Sequence, residues 1–518
     1  VLGSVTRVAT VLSAVGLVVL GAGGARARDG YGNGDAWWTA DSGRRMPASV
    51  EYPDSTGQIR IINAQGGFDT QGNAFFSAIG ANGRACITCH QPASGMGLSV
   101  AAVRRRWQQT QGKDPLFSAF DGSNCPSLPQ RDAASHSLLL TRGLIRIALP
   151  WPPRRPGGTI VRPEFSIEVV SDPTGCNTDP VYGLKSKSPT ISVFRRPRPV
   201  ANMKYLLTLP HGVPPHEFLF YNDKSLLPKD PKSGHFVSMQ LMSDGRDLTL
   251  ESQARDAAAV HLQRREPLTQ AQLSQIVSFE KQVYVAQSFS DQGGPLPGVN
   301  GPPGLGPEAL ERGAPAYLGN NPINRIFGTF SMWLSGKAGA GAASRDRARE
   351  EFRESVARGA SIFYQRRFFI RDVGGYNDKG LGNPFKRSCG SGCHNTLLMG
   401  MDLAPGYMDL GLNNFPWSDS ETDLPLFKVT CDAGAKPQSF LGRVIYTHDP
   451  GRALITGKCA DVGESLMQQS RGLAARAPYF QDGSAANLRE LVDFYDRRFN
   501  IGYTEGEKRD LVNFLSAL

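Results

Sequence analysis

Two threonine-headed apolar stretches organise the reading of this chain. Thr269-Gln270-Ala271-Gln272 leads into Ile276, Val277 and Phe279, and Thr504-Glu505-Gly506-Glu507 leads into Leu511, Val512 and Phe514. Each pairs a threonine N-cap with Gln or Glu three residues on, a capping box ahead of helically spaced apolar positions. A second echo comes in the same order: Asp244-Gly245 precedes Leu250 by the spacing at which Asp482-Gly483 precedes Leu488. Together the echoes predict a duplicated domain. Arg345 to Phe363 mixes charged and apolar residues at helical spacing, and residues 491–497 continue a helix begun near Asn487. Between Cys125 and Cys176 the period changes to two, in Ile145-Arg146-Ile147 and Phe165-Ser166-Ile167-Glu168-Val169. This predicts a small β insertion over about 125–176 in an otherwise helical chain. Residues 291–307, DQGGPLPGVNGPPGLGP, read as a Pro/Gly linker. The expected domains are therefore 28–290, holding the insertion, and 308–518.

Composition changes this picture little. A chain of 518 residues, 40% hydrophobic and 20% charged, suits a soluble protein of two or three domains. The net charge of +10 fits an acidic redox partner or anionic surface, or a solvated basic face with some arginines paired to cofactor carboxylates. No basic run is interleaved with aromatics as nucleic-acid binding requires. At the N-terminus, Arg7, the apolar run Val8 to Leu20 and the small-x-small Ala25-Arg26-Ala27 read as an export signal over 1–27. The alternative is an uncleaved anchor. Export predicts a periplasmic or secreted bacterial protein with no membrane span in its mature form. Cys125, Cys176, Cys431 and Cys459 are then an even remainder for disulfides. Pairing Cys125 with Cys176 and Cys431 with Cys459 keeps each bridge local, though three connectivities are open.

The other four cysteines carry chemistry. In Cys86-Ile87-Thr88-Cys89-His90, two thiols three positions apart can add to the vinyl groups of one haem, with His90 as the iron's ligand. Cys389-Gly390-Ser391-Gly392-Cys393-His394 repeats the arrangement with one extra residue, and its glycines permit the bulge this requires. His394 is the second candidate ligand. Two covalently bound haem c groups are the expected cofactors.

The opposite face of each iron decides between electron transfer and chemistry. Tyr495 lies twelve residues after Gly483, and the equivalent position after Gly245 is Ala257. A tyrosine oxygen can ligate ferric iron and alanine cannot, so the repeat predicts a capped second haem and an open first one. His261, one turn beyond Ala257, could ligate the first iron, act as acid–base group or simply pack; Gln253, one turn before, could point into the same space. Met399 and Met401 follow His394 too closely to reach its opposite face. His211, His216, His235 and His448 lack metal-site spacing, and His136 adjoins an apolar run.

Four segments, GRACITCHQP, SDGRDLTLESQA at 243–254, SCGSGCHN and ARAPYFQDGSAANLRELVDFYDR at 475–497, resemble the bacterial di-haem cytochrome c peroxidases and their MauG-like relatives, which include haem rubber oxygenases. The resemblance implies a mainly α fold of two packed cytochrome c-like domains. It implies one haem reacting with hydrogen peroxide or oxygen and the other relaying electrons, with a small cytochrome or copper protein as donor. Tyr495 falls where the family places its distal methionine or tyrosine, and Gln253 on its distal glutamine. Three residues depart from the pattern. Ser243 replaces the tryptophan that bridges the haems, Gln263 replaces a distal glutamate, and Arg476 replaces a threonine near an interdomain calcium, whose binding is therefore doubtful. Two other readings stand beside the peroxidase: a pure electron carrier with both irons six-coordinate, and an oxygenase acting on a polymer or protein.

Overall fold

The longer helices are α1 (Val100–Thr110), α2 (Leu250–Val260), α3 (Gln270–Gln282), α4 (Ser344–Gln365), α5 (Leu488–Phe499) and α6 (Glu505–Ser516). The computed structural model describes residues 36–154, 159–207, 241–247, 249–298, 301–313, 330–334, 344–394, 407–418 and 422–518. The export signal, His211, His216, His235, Met399 and Met401 lie outside the described residues. Trp37–Leu518 forms one unit.

Local sequence explains the helix ends. Thr269 and Thr504 accept from the amides of Gln272 and Glu507, whose side chains reach back to the threonine amides. Asn487 caps α5 by accepting from the Glu490 amide. The repeat is equally visible in its turns. Leu241 bridges Asp247 ahead of α2 as Tyr479 bridges Ala485 ahead of α5. Both turns rest on a glycine with positive φ, Gly245 at 68° and Gly483 at 66°. Packing then follows: α4 lies against α6 at Gly359, where a methyl group would overlap the Asp510 carbonyl.

The chain is not mainly α. Of the described residues 33% are helix and 20% strand, in several sheets. The main strands are β1 (Ser49–Pro53), β2 (Gly57–Asn63), β3 (Ile145–Pro150), β4 (Phe165–Ser171), β5 (Thr190–Arg195), β6 (Val283–Ser290), β7 (Gly294–Pro295), β8 (Leu426–Cys431) and β9 (Val444–Thr447). The largest sheet runs β1-β2-β6-β7 and lies outside the expected insertion. Its β2 alternates buried and half-buried residues along its length, the period of a strand with one face in the core. The insertion itself is no closed unit. β3 pairs antiparallel with β5, and β4 pairs antiparallel with β8 from the C-terminal half. β4 keeps roughly the expected alternation whereas Ile145, Arg146 and Ile147 of β3 are all buried, and the partners of both lie far along the chain, where local pattern carries no information. The two largest buried clusters among the described residues are one around Phe75, Phe76 and Phe279, and one around Phe363, Tyr364 and Phe514. The disulfides join Cys125 to Cys176 and Cys431 to Cys459, the local pairing.

Candidate functional site: two cavities and the wall between them

The four remaining cysteines line two cavities. In the first, Cys86–Thr88 forms a tight helical turn that begins where the Ala85 amide donates to the Thr88 hydroxyl. This turn sets Cys86, Cys89 and His90 on the wall of a cavity of about 1140 Å³. His90 Nδ1 lies 3.3 Å from the Met96 carbonyl. That contact requires Nδ1–H, which leaves Nε2 as the free lone pair. Burial pushes His90 down to about 4, so the imidazole is neutral and able to bind a metal.

The second cavity, about 1490 Å³, is lined by Cys389, Cys393, His394 and Tyr495. His394 stacks near Phe363, centroids 5.7 Å apart, and burial pushes it down to about 4. Its Nδ1 is buried without a hydrogen-bond partner among the described residues. Tyr495 projects from α5 between Phe480, Phe494 and Phe499. Burial pushes its phenol well above the ordinary tyrosine value, so ionisation there calls for a cation at the oxygen.

The first cavity differs in the rest of its lining. Ala257 is on its wall, flanked along α2 by Gln253 and His261. The structure adds a partner that sequence reasoning missed. His261 Nδ1 sits 2.7 Å from Asp121 Oδ2, and Asp121 is also paired with Arg84, both side chains being 1% exposed. Arg84 is fixed in turn by the Pro115 and Leu116 carbonyls, at 2.7 and 2.6 Å. Asp121 therefore holds His261 with Nδ1 protonated, leaving Nε2 as acceptor on the opposite side of the ring. Burial, with Arg246 and Arg84 nearby, pushes His261 down to about 3. With Asp121 already neutralised by Arg84, we read the imidazole as neutral. Asp121 and His261 are 140 residues apart, so no local spacing signals the pair. Gln263 does not line the cavity; its backbone turns left-handed at φ 52°, just past the end of α2. Ser243 does line it. His136 and His448 are buried and bonded to backbone carbonyls.

Arg196, Pro197 and Pro199 line both cavities and so form a shared wall. Arg198 faces the first cavity and Arg476 the second. Among the described residues their guanidiniums donate to carbonyls alone: Arg196 to Arg142, Leu98 and Arg476, Arg198 to Leu466 and Met467, and Arg476 to Gln469. None of the three forms an ion pair among the described residues. By contrast, neighbouring Arg195 pairs with Asp244 and Asp449 at 2.5 and 2.6 Å. Buried charge without a counterion is costly, which marks this wall as a place for anionic groups. Paired thiols, neutral histidines and a cationic wall together fit a haem with its two propionates.

No family model matches the chain. A cytochrome-c peroxidase, IdrP1, from Pseudomonas sp. (strain SCT) is 30% identical over 142 residues, covering 24% of this chain and 35% of the relative. The matched stretch thus spans about a third of that relative's length. The solved structure of a MauG-like protein associated with microbial copper homeostasis is 16% identical and covers 64% of this chain and 76% of its own, with a TM-score of 0.26. The sequence similarity is thus to a stretch of one cytochrome-c peroxidase.

Proposed function

We propose that this protein is an exported di-haem c-type oxidoreductase that reduces hydrogen peroxide, or oxygen, in the N-terminal cavity and receives electrons through the C-terminal one. One observation carries the reading: each cavity is lined by a Cys-Cys-His set, but the rest of the lining differs, with Gln253, Ala257 and His261 in one and Tyr495 in the other. Cys86, Cys89 and His90 would hold one haem, and Cys389, Cys393, His394 and Tyr495 the other. When bound, haem supplies an iron that exchanges single electrons and, where a coordination site is free, binds peroxide or oxygen.

The protein's own residues do the rest. Peroxide reduction balances as H2O2 + 2e− + 2H+ → 2H2O. His261 Nε2 takes a proton from the attacking O–H and returns it to the departing oxygen as the O–O bond breaks. Asp121 keeps that nitrogen in its acceptor tautomer, and the Gln253 amide orients the peroxide. Tyr495 closes the second cavity to exogenous ligands. Electrons arrive from a small redox protein and cross at Arg196, Pro197 and Pro199; Ser243 is on the cavity wall, and among the described residues no indole lines either cavity. The disulfides Cys125–Cys176 and Cys431–Cys459 support export to an oxidising compartment. Among the described residues no helix is long and apolar enough to cross a membrane.

The test is to express the chain with cytochrome c maturation, count haems by pyridine haemochrome and mass, and mix the reduced protein with peroxide. Two covalent haems and rapid reoxidation are expected. A loaded protein inert to both peroxide and oxygen would favour the pure electron carrier.

A further inference from the structure

The reaction proposed above consumes two protons and leaves their entry unassigned. Glu280 bears on this. It sits on α3 beside Leu273, Ile276, Val277 and Phe279, a buried apolar face, and is itself 3% exposed. It lines the first cavity, and its Oε2 has no hydrogen-bond partner among the described residues. A lone carboxyl in such a setting is held against its desolvation cost, where a leucine would pack freely. Burial and the Glu251 carboxylate push Glu280 up to about 8, against the opposing effect of Lys281 on its own helix. The Cys86 thiol is the other titratable group coupled to it. At neutral pH Glu280 thus keeps its proton.

The outer side of the same helix faces water. A surface depression of about 850 Å³ is lined by Glu251 of α2 and by Ser274, Ser278 and Lys281 of α3. Glu251 thus lines the depression, and its carboxylate raises the proton affinity of Glu280. One helix carries both linings, with Ser274, Ser278 and Lys281 on the depression and Ile276 and Glu280 on the cavity.

We propose that Glu251 and Glu280 form a proton-entry relay from this depression into the N-terminal cavity. His261 sends the departing oxygen off as water, and Glu280 gives its proton to the oxygen that remains as the two electrons reduce it, a second passage completing the second water. Glu251 then reprotonates Glu280 and recovers its own proton from solvent, so neither carboxyl changes over a cycle. His261 moves a proton within the bound peroxide, whereas Glu280 brings in new ones. The relay rests on the peroxide- or oxygen-reducing reading.

The test uses the haem-loaded full chain. Infrared spectra at pH 7 should show a protonated carboxyl stretch, sensitive to deuterium, that Glu280→Gln removes. Stopped-flow reoxidation of the reduced protein by peroxide should slow at least about tenfold in Glu280→Gln, within the range of general acid catalysis, with optical spectra unchanged. Glu251→Gln should slow turnover less and recover with added formate. A reactive wild type with an equally reactive Glu280→Gln overturns the relay alone, as does an infrared spectrum that Glu280→Gln leaves unchanged. A wild type inert to peroxide and oxygen overturns the parent reading and the relay with it.

Discussion

Replacing Asp121 with asparagine probes the least expected part of the first cavity. The carboxylate accepts from His261 Nδ1 at 2.7 Å and pairs with Arg84, both inside the protein. Asparagine keeps the shape but removes the charge, and its amide can donate to Nδ1 and force the opposite tautomer, with Nε2 protonated. His261 then cannot accept the peroxide proton. A hydrogen bond to a charged group contributes about 1.5–3 kcal/mol. If all of it is lost in the transition state, the rate falls by about 10- to 150-fold at about 1.36 kcal/mol per decade. Arg84 also loses its buried counterion, which costs about 3–5 kcal/mol of stability, softened by the Pro115 and Leu116 carbonyls it retains. The assay is stopped-flow reaction of the haem-loaded ferric protein with peroxide, beside thermal unfolding of the same samples. His261→Gln should slow the reaction at least as much while leaving Arg84 paired, which separates tautomer control from stability. A folded Asp121→Asn protein reacting at the wild-type rate would refute the role given to this pair.

Other substitutions have equally definite outcomes. Tyr495→Phe should shift the second haem toward high spin and raise its reduction potential, measured by optical redox titration; unchanged spectra and potential would remove Tyr495 as a ligand. Glu280→Leu tests linkage. A carboxyl raised from 4.5 to about 8 binds its proton more tightly folded than unfolded, so its contribution is intact below pH 4.5 and lost as pH rises through 8. The leucine variant should therefore gain stability over the wild type as pH rises from 5 to 8, by a few kcal/mol at most, in denaturant melts; a gain independent of pH would contradict it. His261 runs the other way. Lowered from 6.5 to about 3, it contributes stability above pH 6.5 that is lost as pH falls toward 3. The acid limb of the stability profile should flatten in His261→Gln, and an unchanged limb would contradict the neutral imidazole.

What the sequence disclosed was local. The capping boxes at Thr269 and Thr504, the Asn487 start of α5, the two Asp-Gly turns and the local disulfide pairing need only neighbouring residues, and each appears as read. The sheets did not appear as read because their pairings are remote. Gly57–Asn63 alternates cleanly, yet its partners include Val283–Ser290, and Phe165–Ser171 finds Leu426–Cys431. Asp121 escaped for the same reason: only the folded chain brings it to His261. Glu280 was within reach, since a glutamate inside the stripe of Ile276, Val277 and Phe279 breaks the apolar face of a helix whose start was correctly placed. The arginine wall was not, because only the fold shows which guanidiniums lack a carboxylate.

The most direct measurement is low-temperature electron paramagnetic resonance of the oxidised, fully loaded protein. An open site beside Ala257 and a Tyr495-capped one require one high-spin and one low-spin ferric signal, the high-spin signal alone responding to added azide. Two low-spin signals, neither responding, would contradict the asymmetry on which peroxide or oxygen chemistry in the first cavity depends.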